Sequence, residues 1–117
     1  MKRLIFFTVL ISCLALSAGC KKSAPPVPAL LVFSTANCDA CKEFKPIAEE
    51  IREEYKGRAA VKIYEIDKTP GSDFAASFNV RATPTIIFLD KEGNQYFRLD
   101  RAASKDLIKA LLDAKID

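Results

Sequence analysis

The chain has 117 residues, of which half are apolar and 28% are charged, and its formal net charge is +3. This size suits one small domain, and this composition is that of an ordinary globular protein, which excludes a disordered or fibrous chain. Basic residues are interspersed with acidic ones instead of forming a stripe, which argues against a nucleic-acid partner.

Residues 1–19 differ from the rest of the chain. Lys2 and Arg3 precede an uncharged apolar stretch, 4–18, that ends in small residues. This arrangement is typical of a secretory signal peptide, and the stretch is shorter than the roughly twenty residues that a transmembrane helix needs. We therefore expect residues 1–19 to be removed on export. Sixteen basic residues would then face fifteen acidic ones, which leaves the mature chain nearly neutral.

The small residues before Cys20 resemble the lipobox of bacterial lipoproteins, in which the cysteine is lipidated and becomes the first mature residue. Leu16 lies four positions before Cys20, one more than is usual, so ordinary signal cleavage that leaves Cys20 free remains an alternative. Lipidation would leave Cys38 and Cys41 as the exported thiols, an even number, because Cys13 leaves with the signal. The expected mature protein is a lipoprotein, exported and anchored to a membrane at Cys20, facing the periplasm or the cell exterior.

The mature chain is predicted to start with an extended tether at 20–29, because Pro25, Pro26 and Pro28 exclude a helix or a central strand there. The folded domain is predicted to cover 30–117. Its predicted elements are a buried strand at 30–33, an amphipathic helix at 39–56, a strand at 61–67, a short helix at 73–78, a strand at 85–89 with a hairpin partner at 95–99, and a last helix after residue 104. This alternation predicts parallel strand pairing in the core.

Single residues predict how the helices begin, bend and end. Pro46 should bend the first helix without ending it, because the apolar spacing continues beyond it. Gly57 should close that helix. Ser72 and Ser104 should provide the caps of the second and third helices.

Cys38-Asp39-Ala40-Cys41 stands at the start of the first predicted helix. Cysteines at this spacing occur in redox centres, in structural disulfides and in metal sites. A metal site typically needs four ligands, and the chain has no histidine. A structural disulfide is also the weaker alternative, because such a short loop restricts the unfolded chain little. The residues therefore favour a redox centre without a metal.

Thr83-Pro84-Thr85 opens the predicted strand at 85–89. A strand, a CxxC element at a helix start, a proline five residues after the second cysteine, and this Thr-Pro step together resemble the thioredoxin family. The resemblance spans 30–116. It implies an α/β, thioredoxin-like fold with a near-minimal four-stranded mixed sheet flanked by three helices, without the family's additional N-terminal strand and helix.

The resemblance also implies an activity, that of a thiol-disulfide oxidoreductase. Cys38 would attack a substrate disulfide and Cys41 would resolve the mixed disulfide. Pro84, in the cis form, would present the Thr83 backbone to an extended substrate segment. Together with the predicted export, this leads us to expect exported protein disulfides as partners, with the chain as reductant, and a membrane electron donor that recycles it. We expect a monomer without a cofactor; the alternative is a binding or assembly module whose disulfide is passive.

Three positions depart from the family pattern. Asn37 replaces the Trp that usually precedes the first cysteine, Val32 replaces a buried Asp beneath the pair, and Ile63 replaces the Lys beside that Asp. The family Asp is thought to serve as the base for the second cysteine. Its absence leaves the base open, and Glu65 is a candidate.

The expected pKa of Cys38 depends on opposing effects. The helix N-terminus, worth roughly 0.3 to 2 kcal/mol, favours the thiolate, whereas Asp39 disfavours it. Exposed charge pairs are worth roughly 0 to 1 kcal/mol, so we expect a moderately lowered pKa. Asn37, Asp39 and Ala40 are therefore the expected tuning positions around the thiol.

Overall fold

The structure, a computed structural model, describes residues 26–116. Within this range the strands are β1 (Ala29–Ser34), β2 (Ala60–Glu65), β3 (Thr85–Leu89) and β4 (Gln95–Leu99), and the helices are α1 (Asp39–Glu54), α2 (Gly71–Ser77) and α3 (Lys105–Asp113). This confirms the predicted α/β fold of four strands and three helices. The predicted signal peptide and Cys20 lie outside the described residues, and so does most of the tether. In the range 26–116, no helix is long and apolar enough to cross a membrane.

The strands form one mixed sheet in the order β2-β1-β3-β4. Strands β1 and β2 are parallel, as predicted, but β3 pairs with β1 in the antiparallel sense, as does β4 with β3. The expectation of a parallel core was therefore right for one pair only. Helix α2 has seven residues, about 10 Å of helix, which is too short to return the chain along a strand of about 20 Å. Strand β3 consequently starts near the end of β2 and runs the opposite way.

Both faces of the sheet are covered, because side chains alternate between the two faces along each strand. One face packs against α1 and α3, and its buried residues are Leu30, Val32, Phe44, Ala48, Ile51, Tyr55, Ala59, Val61, Ile86, Phe88, Ile108 and Leu112. The other face is smaller and lies under α2, with Leu31, Phe33, Ala75 and Ile87 at its centre. Strand β1 contributes to both clusters, which explains its unbroken apolar sequence.

The ends of α1 and α3 agree with the sequence. Helix α1 continues through Pro46 and is capped by Tyr55. Gly57 lies in the following turn with a φ of +83°, which glycine adopts without strain. Ser104 caps α3, because its Oγ accepts a hydrogen bond from the Leu107 amide at 3.3 Å.

The predicted cap of α2 is wrong. Ser72 lies inside the helix, which begins at Gly71 after Pro70 and has no side-chain cap. The close packing of Gly71 explains the earlier start. A Cβ atom on Gly71 would collide with the carbonyl oxygen of Glu65. Only glycine allows the first turn of α2 to pack this closely on the end of β2.

Tyr55 connects the end of α1 to the end of α3 through a hydrogen bond. The residue is 1% exposed, and its hydroxyl donates to Asp113 Oδ1 at 2.6 Å. Burial of the ring, followed by the hydrogen bond to Asp113, raises the pKa of Tyr55 to about 12. The hydroxyl therefore stays protonated, and remains a donor, throughout the physiological range.

Candidate active site

Cys38 and Cys41 are joined by a disulfide at the N-terminus of α1, with their Cα atoms 5.1 Å apart. Cys38 is the N-cap residue of the helix, and its Sγ accepts a hydrogen bond from the Cys41 amide at 3.1 Å. The unpaired amides of this first turn and the positive end of the helix dipole face Cys38. Cys41 is 5% exposed, whereas Cys38 is partly exposed. Of the two sulfurs, the one at the cap is therefore open to a partner.

The structure brings the second sequence motif to this disulfide. The Thr83-Pro84 peptide bond is cis, as the resemblance implied, and Pro84 is buried. The carbonyl oxygen of Thr83 lies 3.6 Å from Cys38 Sγ. In the disulfide, Cys38 Sγ carries no hydrogen, so this contact is not a hydrogen bond. In the reduced protein, the Cys38 thiol could donate to the same oxygen. The two motifs thus form one site.

A network on β3 and β4 supports the Thr83-Pro84 step. The hydroxyl of Thr85 is buried and lies 2.6 Å from the carbonyl oxygen of Ala82 and 3.3 Å from Asp100 Oδ1. The same carboxylate oxygen accepts a hydrogen bond from Arg98 Nε at 2.9 Å. Arg98 and Asp100 were not among the site residues predicted from the sequence. Arg98 is the one charged residue of β4, but its carbonyl acceptors, Phe78 and Asn79, are distant in sequence.

The three expected tuning residues surround Cys38 on the surface. Asn37, Asp39 and Ala40 are all exposed, and the Asp39 side chain is 99% exposed with Lys42 Nζ 4.0 Å away. Water screens a carboxylate in such a position, so its effect on a neighbouring thiolate is small. The helix N-terminus is then the larger influence on Cys38.

The sheet beneath the disulfide is apolar. Val32 is 2% exposed and stands opposite Ile63 in the β1–β2 register. The two positions where the family has an Asp and a Lys therefore face each other as a hydrophobic pair.

A cleft of about 200 Å³ opens beside Cys41. It is lined by Ser34, Thr35, Ala36, Cys41, Lys42, Lys45 and Glu65. Glu65 provides the only carboxylate among these lining residues. Its ion pair with Lys68, at 3.0 Å, lowers the pKa of Glu65, so this carboxylate is ionised at neutral pH. Among residues 26–116, no three His, Cys, Asp or Glu side chains are grouped to hold a metal ion.

Comparison with known proteins agrees with this geometry. Residues 21–116 match the family described as a thioredoxin-like domain. The chain belongs to this thioredoxin-like family. It is 33% identical to thioredoxin C-2 of Corynebacterium nephridii over 76% of this chain and 80% of that protein. It is 35% identical to a thioredoxin of Acidithiobacillus ferridurans over 81% of this chain and 83% of that one.

Solved structures of thioredoxins share the fold. A malaria parasite thioredoxin-2, described as a component of protein secretion machinery, superposes with a TM-score of 0.68 at 25% identity, over 75% of this chain and 82% of that one. A mutant thioredoxin from Halobacterium salinarum gives a TM-score of 0.69 at 22% identity, over 80% and 79%. With the Cys38–Cys41 disulfide, the thioredoxin-like relatives make this chain a thiol-disulfide oxidoreductase whose substrates are protein disulfides.

Proposed function

We propose that this thioredoxin-like protein is a reductant of disulfides in exported proteins, anchored to a membrane through Cys20. One observation carries the proposal: a partly exposed Cys38 at a helix N-terminus lies 3.6 Å from the Thr83 carbonyl, with Cys41 buried behind it. A passive structural disulfide needs neither an exposed sulfur nor an adjacent site for a peptide.

The reaction starts from the reduced protein. The Cys38 thiolate attacks one sulfur of a substrate disulfide, and the other substrate sulfur leaves as a thiolate and takes a proton from water. The thiol of Cys41 then loses its proton and attacks Cys38 Sγ. This step forms the Cys38–Cys41 disulfide and releases the second substrate sulfur. The substrate has gained two electrons and two protons, and a membrane electron donor returns the domain to the dithiol form.

Thr83 and Pro84 are proposed to bind the substrate chain next to Cys38. A proline cannot donate to a strand ladder, so the backbone groups of Thr83 remain available beside it. An extended peptide could pair with them as an added strand. This pairing would bring the substrate sulfur close to Cys38 Sγ.

Glu65 is proposed to accept the Cys41 proton through water in the cleft that both residues line. Glu65 is ionised at neutral pH and so can accept a proton, while the ion pair with Lys68 that lowers its pKa makes it a weaker base than a free carboxylate. Glu65→Gln should slow the resolving step, so that mixed disulfides persist longer, while the first attack by Cys38 keeps its rate. If the mixed disulfide has the same lifetime in Glu65→Gln as in the wild type at every pH from 6 to 8, Glu65 is not the base.

The anchor and the export of the domain are proposals from the sequence. Cells that express the protein are labelled with an alkyne analogue of palmitate, and the label should appear on the wild type and disappear in Cys20→Ser. A label that persists in Cys20→Ser would contradict lipidation at this residue. The tethered domain is proposed to act as a monomer, which sedimentation of the detergent-free domain can check.

Trapping the mixed disulfide tests the activity. In Cys41→Ser the resolving sulfur is missing, so exported substrates should remain bound to Cys38 as adducts that dithiothreitol releases. Cys38→Ser is the matched control, because it has the same single thiol loss but lacks the attacking sulfur. Absence of adducts in both variants would contradict the reductant and favour a binding module with a passive disulfide.

A further inference from the structure

We infer that Arg98 is a positioning residue for substrate recognition, because its guanidinium holds both ends of the loop that carries Thr83. This loop, residues 79–84 between α2 and β3, is called the presenting loop below. The inference rests on the proposed function and deepens it, since it concerns how the presenting loop is kept in place beside Cys38.

Arg98 fixes the first end of the presenting loop. Its Nη1 donates to the carbonyl oxygen of Phe78 at 2.6 Å, and its Nη2 donates to that of Asn79 at 3.1 Å. These carbonyls lie at the end of α2, where helix carbonyls lack partners within the helix. Asn79 has a φ of +53°, and this left-handed residue turns the chain out of the helix. Arg98 therefore holds the point at which the loop begins.

The same side chain reaches the other end of the loop through Asp100. Arg98 Nε donates to Asp100 Oδ1 at 2.9 Å, and this oxygen is 3.3 Å from the hydroxyl of Thr85. That hydroxyl has one proton, which it can give to this oxygen or to the carbonyl oxygen of Ala82 at 2.6 Å. Thr85 is the first residue of β3 and directly follows Pro84. The network thus brackets the Thr83-Pro84 step from both sides.

Arginine suits this task better than another cation. Its planar group has five N–H donors in a fixed fork, and three of them are used here toward separate acceptors. The side chain is 23% exposed, so water competes with these bonds less than at a fully exposed site. A lysine at the same position has one point of charge and could not span the three acceptors.

Loss of the network should affect extended substrates and spare small ones. A peptide that pairs with the Thr83 backbone needs the presenting loop in one place. A small disulfide needs only the Cys38 sulfur. Because displacements near 1 Å can reduce rates by up to a hundredfold, we expect the rate with an extended substrate to fall about tenfold.

The experiment compares single-turnover oxidation of the reduced protein by insulin and by hydroxyethyl disulfide. Arg98→Met should lower the insulin rate about tenfold and change the small-disulfide rate by less than about twofold. Arg98→Lys should behave like Arg98→Met. Asp100→Ala should show the same selective loss, whereas Asp100→Asn keeps an acceptor oxygen and should stay near the wild type. This second pair tests the network even if Arg98→Met does not fold.

Arg58→Met is the matched control. Arg58 Nη2 also donates to a carbonyl near a helix end, that of Glu54 at 3.0 Å, but far along the chain from the presenting loop. The Arg58→Met substitution should leave the rates with insulin and with hydroxyethyl disulfide unchanged. Equal rates with insulin in Arg98→Met and Arg58→Met would overturn the inference, and so would a parallel loss with both substrates. If neither insulin nor hydroxyethyl disulfide oxidises the reduced wild type, that result would instead overturn the proposed function itself.

Discussion

Val32 offers the sharpest test of how the site is built. It is 2% exposed and pairs with the apolar Ile63 across β1 and β2, so a polar side chain placed here would be shielded from water. Val32→Asp introduces the acid that the family resemblance implies at this position, but here without a lysine opposite. A fully buried carboxyl can have its pKa raised by about 3 to 5 units. The substitution should therefore destabilise the domain, and the loss should depend on pH.

The direction of this pH dependence follows from the pKa of the new carboxyl in the unfolded and the native states. In the unfolded chain the new carboxyl titrates near its ordinary pKa of about 3.9, whereas in the native state burial raises its pKa. Between these values the native state keeps a proton that the unfolded state has lost, so stability falls as pH rises. Each pH unit in this window costs about 1.4 kcal/mol, so a rise of three pKa units costs about 4 kcal/mol between pH 4 and pH 7.

Val32→Asn is the control, because it buries a polar group of similar shape that does not titrate. Urea unfolding of the oxidised variants, followed by far-ultraviolet circular dichroism, gives both free energies at pH 4.5, 6 and 7.5. The difference between the two variants should widen steadily with pH. Adding Ile63→Lys to Val32→Asp should recover part of the loss at pH 7.5, because it supplies the missing partner. A difference that stays constant with pH would refute the buried, unpaired environment assigned to this position.

Two further predictions concern the nucleophile and the packing of α1 on α3. In the reduced protein, alkylation of Cys38 by iodoacetamide should have its midpoint below the free-thiol pKa of about 8.5, and a midpoint at that value would contradict the role of the helix N-terminus. Tyr55→Phe removes the hydroxyl that donates to the Asp113 carboxylate, and thermal unfolding should show a loss of about 1 to 2 kcal/mol. The hydroxyl of Tyr96 donates to the uncharged carbonyl of Leu111, so Tyr96→Phe should lose less stability. Equal losses of stability in the two variants would contradict the charge-assisted bond of Tyr55.

The parts of the fold that follow from short-range patterns could be predicted from the sequence. The bounds of β3 and β4 follow from apolar and polar runs on either side of a glycine-containing turn, and both agree with the structure. The cap at Ser104 followed from its place before an amphipathic stretch. Cys38 and Pro84 could be placed together because the family resemblance supplied a contact that their sequence separation does not reveal.

The features that were missed depend on contacts between distant segments. The antiparallel pairing of β3 with β1 follows from the shortness of α2. The sequence predicted a helix of similar length at 73–78, but its apolar pattern does not show in which direction the next strand runs. Ser72 has the right chemistry for a cap, but the packing of Gly71 against Glu65 determines where α2 starts. Arg98 was not recognised as a functional residue, because two of its acceptors, the carbonyls of Phe78 and Asn79, belong to the end of α2, which only the folded chain brings close to β4.

The reduction potential of the Cys38–Cys41 pair tests the central claim most directly. The protein is equilibrated in defined mixtures of oxidised and reduced dithiothreitol, quenched with acid, and its thiols are counted by mass after alkylation. We predict a midpoint of about −300 to −230 mV, the range of reducing thioredoxin-type centres. A midpoint well below about −300 mV would identify a passive structural disulfide, and one above about −180 mV would identify an oxidant. Either result would contradict the reductant proposed here.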